Sequence, residues 1–175
     1  MIDSTKRAVN ARRGRTARTN GASTEAWVHG LLEAHRVGGQ VAWWAQTGPV
    51  MRYVGKGAAL RIVAVSPGAC DVVGALADGR VLVVEIKHGS RVWRSRAEAG
   101  ARRDPVVADA QRAQLDATAR CGGAAYLAVD LSGHRALIPW RSVPWNADGS
   151  LDADGLMRLP VSNRKHMLGS PFRAL

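Results

Sequence analysis

Two short runs of almost unbroken apolar residues, Asp71-Val-Val-Gly-Ala-Leu76 and Arg80-Val-Leu-Val-Val-Glu-Ile-Lys87, flank the tripeptide Ala77-Asp78-Gly79. A strand with one wet face alternates polar and apolar residues. Interiors like these belong to central strands covered on both faces, and the tripeptide marks the turn between them. The chain must therefore supply helices to cover a sheet. Ser23 or Thr24 can cap a helix to about His35 with Trp27, Val28, Leu31 and Leu32 on one stripe, ended by Gly38-Gly39. Val41 to Gln46, Val50 to Val54 and Leu60 to Val65 read as strands. Asp104-Pro105 reads as a cap and first-turn proline for a helix to about Arg120, closed by Cys121-Gly122-Gly123. Ala124 to Val129 and Ala136 to Trp140 read as two more strands. Helix, strands, helix, strand predicts an α/β domain: a mixed central sheet flanked by helices.

The 175 residues suit one domain with arms, and 46% hydrophobic against 22% charged residues is a globular balance. No apolar run is long enough for a bilayer, and the basic N-terminus lacks the apolar core of a secretory signal. Cys70 and Cys121 fit neither a disulfide framework nor a paired metal motif, so a reducing, cytoplasmic setting is expected. Residues 1–22 are basic and nearly free of large apolar side chains, which predicts a disordered arm. Residues 141–175 show no periodicity and stand as a C-terminal extension of unassigned role, leaving 23–140 as the domain.

The formal charge is +11, and it is clustered. Residues 1–22 carry Lys6, Arg7, Arg12, Arg13, Arg15 and Arg18 against Asp3; residues 88–103 carry Arg91, Arg94, Arg96, Arg102 and Arg103 against Glu98. Of the 25 cations 21 are arginine, the residue that grips phosphate through two donors at once. A GC-rich genome would inflate the count, but not the clustering. A polyanionic partner is expected, usually nucleic acid and less often anionic lipid.

Glu85 and Lys87 interrupt the end of an otherwise greasy strand. Two residues apart, they project from one face, while Leu82, Val84 and Ile86 project from the other. A three-residue turn with Gly79 left-handed pairs Leu76 with Arg80, and counting outward sets Asp71 opposite Glu85. A two-residue turn would scatter the trio. Two neighbouring carboxylates repel unless one is protonated or a cation sits between them. Oxygen ligands completed by water suit Mg2+ or Mn2+, and a lysine beside them can orient a water or stabilise charge on a phosphate. Singly, these residues have bland readings: a turn former and a solvated strand-end charge pair. Together, before a basic loop, they point to phosphodiester hydrolysis.

Gly68-Ala-Cys-Asp71, a hairpin and then Glu85-Ile-Lys87 resemble the signature of the PD-(D/E)XK nuclease superfamily, and more closely its VRR-NUC branch of small virus-type replication and repair nucleases. Thr24-Glu25 looks like the family's first-helix acid, and Gln111-Arg-Ala-Gln-Leu115 before Gly122-Gly123 like its Q-containing helix. The likeness runs from about Thr24 to Val129. Cys70 stands where a small residue or proline is usual, and the 88–103 loop is longer than expected. The resemblance implies a restriction-endonuclease-like core, with Asp71, Glu85 and the main chain of Ile86 holding Mg2+ (Mn2+ substituting). Lys87 would assist the attacking water, with Glu25 and Gln111 at the same site. For Glu25 the bland alternative is an acid favouring a helix N-terminus; for Gln111 it is a rim glutamine. The five histidines show no ligand spacing, and His88 should point away from the motif. Of Trp43 and Trp44, one is expected in the core and the other on a sheet face.

These readings converge on a DNA endonuclease of a bacterial or phage-infected cell, selective for branched DNA in the manner of a Holliday-junction resolvase. A homodimer would suit paired cuts. Arg12, Arg13, Arg15, Arg18, Arg91, Arg94, Arg96, Arg102 and Arg103 would grip the backbone without reading sequence. The alternatives are a restriction-type or general nicking nuclease, and a non-catalytic DNA-binding or packaging protein on the same fold.

Overall fold

The structure is a computed structural model, and it describes residues 4–48, 50–54, 61–66, 70–89, 106–131, 133–147 and 149–159; the side chains of 4–20, 50–54 and 61–66 are outside that description. In chain order the elements are α1 (Ser4–Val37), β1 (Val41–Gln46), β2 (Val50–Val54), β3 (Arg61–Ser66), β4 (Val72–Leu76), β5 (Val81–Gly89), α2 (Asp109–Arg120), β6 (Ala124–Leu131), β7 (His134–Pro139), a 3-10 turn (Trp140–Ser142) and α3 (Ala153–Arg158). Five strands form one mixed sheet in the order β1-β4-β5-β6-β7, and β2 and β3 form a separate antiparallel pair. Within the large sheet only β5 and β6 run parallel, and α2 makes the crossover that a parallel pair requires. The expected α/β architecture is the one observed.

The two buried central strands arise as their sequence requires. Gly79 sits at φ +86°, its N–H donates to the Leu76 carbonyl at 3.0 Å, and the Leu76 N–H donates to the Arg80 carbonyl at 2.8 Å. That three-residue turn fixes the register Val72↔Val84, Val73↔Val83 and Gly74↔Leu82, so the next positions outward are Asp71 and Glu85. One face of the sheet packs Val72, Leu82, Val84, Tyr126 and Ala128 against Val28, Leu31 and Leu32 of α1. The other packs Val83, Leu127 and Val129 against Val107 and Leu115 from the α2 side. Gly74 is glycine because β1 approaches too closely for anything larger: a Cβ there would lie 2.4 Å from the Trp43 carbonyl oxygen. Of the paired tryptophans, Trp43 is 53% exposed, while Trp44 packs against the α1-side core and stacks on His29.

Three features differ from the sequence reading. The backbone of residues 4–22 forms the first half of α1, and Thr24 lies inside the helix rather than at its cap. The segment has no proline to stop it, so a helix anchored by Val28, Leu31 and Leu32 can run on toward the N-terminus. The second helix begins at Asp109, not at Asp104-Pro105, which lie outside the described residues. Val106 and Val107, both buried in the core, precede the helix as non-helical chain. The chain beyond residue 140 also contributes to the core. Val143, Leu151 and Leu156 are buried in the α2-side core, and Arg112 lies over the rings of Trp140 and Trp145, 5.5 and 4.8 Å from their centroids.

Candidate active site

The site is built where β4 begins and β5 ends. Asp71 precedes the first residue of β4, and its Oδ2 accepts the main-chain N–H of Ile86 at 2.7 Å. Glu85 points to the α2 face with its side chain wholly buried. Lys87, on the same face, brings its Nζ to 2.5 Å from Glu85 Oε1 and to 3.4 Å from Gln111 Oε1 on α2. The Gln111 oxygen also accepts the Ala108 N–H at 3.1 Å, which caps the start of α2 and fixes the amide. Glu85, Lys87 and Gln111 are thus linked side chain to side chain, and Asp71 joins the cluster through the main chain of Ile86.

Its electrostatics are strained. Burial pushes the Glu85 carboxyl up to about 7; the Lys87 ammonium opposes that rise and the Asp71 charge adds to it. Burial also raises Asp71, against the Ile86 N–H and the Lys87 charge, which favour its ionised form; the Glu25 charge adds to the rise. Glu25 is exposed on α1, and this interaction is its link to the cluster. Burial, with the Glu85 and Asp71 charges, pushes the Cys70 thiol up to about 12, so it remains a thiol beside the acids. Among the described residues neither Glu85 oxygen receives a well-formed hydrogen bond, and the ion pair with Lys87 is its visible compensation.

A buried acid compensated by one ammonium, beside a second acid, fits a hard divalent cation. Among the described residues no group of three or more His, Cys, Asp or Glu side chains could hold a metal ion, so they offer no all-protein cage. Mg2+ does not ask for one: it is commonly held by one or two carboxylates and keeps water and phosphate oxygens for the rest.

The remaining sequence candidates are placed elsewhere. Arg12, Arg13, Arg15 and Arg18 fall on the helical backbone of α1, but their side chains are outside the described ones. Arg91, Arg94, Arg96, Arg102 and Arg103 lie outside the described residues altogether. His88 points away from the acids, to the Gly21 turn of α1, as strand alternation requires.

Sequence reasoning missed two residues beside the site. Gln114 Oε1 accepts the Cys70 N–H at 2.9 Å, and the Thr47 hydroxyl donates to the Cys70 carbonyl. Gln114 had a signal, since it lies one helical turn from Gln111 in the same Q-R-A-Q run. Thr47, in a turn far upstream, had none.

No family model matches the chain, and no curated protein does. A solved structure that matches is the Holliday junction resolvase Hjc of the archaeal hyperthermophile Archaeoglobus fulgidus. It is 19% identical, the match covers 76% of this chain and 91% of that chain, and the TM-score is 0.40. No described helix is long and apolar enough to cross a membrane.

Proposed function

We propose that this protein is a metal-dependent endonuclease that hydrolyses DNA phosphodiester bonds, with Mg2+ as its working ion and branched DNA as its substrate. Glu85 carries the reading. A fully buried carboxylate with no well-formed hydrogen bond, next to Asp71 and Lys87, is a poor way to stabilise a fold and a good way to receive a cation. The charge of +11 supports a polyanionic substrate. Branched DNA comes from the sequence resemblance alone, as does the two-fold dimer that would place two sites for paired cuts.

Asp71 and Glu85, with the main chain of Ile86, would hold the ion. Bound there, it supplies Lewis acidity to the scissile phosphate and lowers the pKa of a water. Lys87 presents its ammonium beside the acids, where it can orient the attacking water and offset charge growing on the phosphate. Gln111 holds Lys87 from the helix side and restricts where that ammonium can point. The arginines of 1–22 and 88–103 would bind backbone phosphates without selecting sequence.

One gel tests the reading: a four-way junction, a flap and a linear duplex, each incubated with Mg2+ and with chelator. Cutting confined to the junction with Mg2+ is expected. Cutting of all three substrates with Mg2+ would keep the nuclease and remove the branch preference. Binding in every lane with no cutting would replace the enzyme by a non-catalytic DNA-binding protein.

A further inference from the structure

The main chain at Cys70–Asp71 is gripped by two elements that contribute no acid to the site. From α2, Gln114 Oε1 accepts the Cys70 N–H at 2.9 Å, and the Gln111 carbonyl lies 3.6 Å from the Cys70 thiol. From the turn after β1, the Thr47 hydroxyl donates to the Cys70 carbonyl, and the Thr47 N–H donates to the Asp71 carbonyl at 2.8 Å. The β4 ladder begins only at Val72, so Asp71 lacks the strand pairing that fixes Val72 and the residues after it. An aspartate is short, and its carboxylate follows any tilt of its own peptide.

We infer that Thr47 and Gln114 are positioning residues: they hold the Cys70 carbonyl and N–H from two sides and so fix where the Asp71 carboxylate stands relative to Glu85 when a divalent cation is bound. The inference rests on the nuclease reading above. Neither residue touches the substrate or the ion. Each acts as outer-shell partners of metal ligands do, by removing the freedom of the group that binds.

The test uses the full chain with Thr47→Val, Thr47→Ser and Gln114→Met. Mn2+ affinity is measured by calorimetry, and the Mg2+ concentration for half-maximal cleavage by titration, alongside Tm in chelator. Thr47→Val and Gln114→Met should each weaken Mn2+ binding and raise the Mg2+ requirement by about 10- to 100-fold, the usual scale for lost outer-shell partners. Excess Mg2+ should restore cleavage, and Thr47→Ser should match wild type. Gln114→Met leaves a main-chain N–H unpaired and can cost folding, so Thr47→Val, close in shape to threonine, is the deciding variant. A folded Thr47→Val with wild-type Mn2+ affinity overturns the clamp while leaving an active wild type as a nuclease. A wild type that neither binds Mn2+ nor cuts DNA overturns both.

Discussion

Asp71 and Ile86 are joined by a hydrogen bond in which the aspartate's Oδ2 accepts the isoleucine's main-chain N–H at 2.7 Å. The acid therefore has a structural duty as well as a chemical one, and two substitutions separate them. Asparagine keeps an oxygen that can accept the N–H; alanine does not. Asp71→Ala should lose about 1–3 kcal/mol of stability, the cost of an unpaired buried N–H, whereas Asp71→Asn should stay close to wild type. Denaturant unfolding of both in chelator checks this. Equal stabilities would mean that the bond contributes nothing.

Glu85 gives the protein a distinctive pH dependence. Its carboxyl is raised from the ordinary 4.5 to about 7, so the folded protein holds that proton more tightly than the unfolded chain. The stability this confers is fully present below about 4.5 and is lost as pH rises to about 7, by at most roughly 3–4 kcal/mol at about 1.4 kcal/mol per unit. In chelator, wild-type Tm should fall between pH 5 and 8. Glu85→Gln, with nothing to ionise, should flatten the curve and melt higher than wild type at pH 8. Parallel Tm curves would remove the burial cost assigned to this carboxylate.

The basic N-terminal segment should act through ionic strength. Lys6, Arg7, Arg12, Arg13, Arg15 and Arg18 are six cations. Removing residues 1–20 should weaken DNA binding and reduce the slope of log K against log salt by up to about five, at roughly 0.9 per neutralised phosphate. Fluorescence anisotropy across a salt series reads the slope directly. An unchanged slope would mean that these cations do not meet the DNA.

Leu156 tests whether the C-terminal segment belongs to the domain. It is fully buried in the α2-side core with Val143 and Leu151. Leu156→Ala should cost about 2–5 kcal/mol, as core leucine truncations do. A change of a few tenths would return residues 143–159 to the status of an appendage.

What the sequence revealed follows from how local each determinant is. The site's register was readable because a single turn set it: Ala77-Asp78-Gly79 counts residues outward until Asp71 meets Glu85, and only the neighbouring strand is involved. The faces of Glu85, Lys87 and His88 followed from strand alternation alone. The features that were not readable depend on distant partners. Val143, Leu151 and Leu156 look isolated because each fills a gap in a core made elsewhere. The start of α2 at Asp109 follows Val106 and Val107, which are buried in that core ahead of the helix. The helical backbone of 4–22 belongs to a helix whose anchor, at Val28, Leu31 and Leu32, lies downstream. Thr47 reaches the site only because β1 pairs with β4.

The most direct test of the site is DNA cleavage by wild type, Asp71→Asn and Glu85→Gln, each with Mg2+ and with chelator, beside a binding measurement in chelator. Wild type should cut only with Mg2+. Both variants should lose about a thousandfold or more in rate, the scale of several kcal/mol of transition-state stabilisation, while binding DNA as well as wild type or slightly better. Cleavage that persists in both variants would contradict the assignment of Asp71 and Glu85 as the groups that hold the ion.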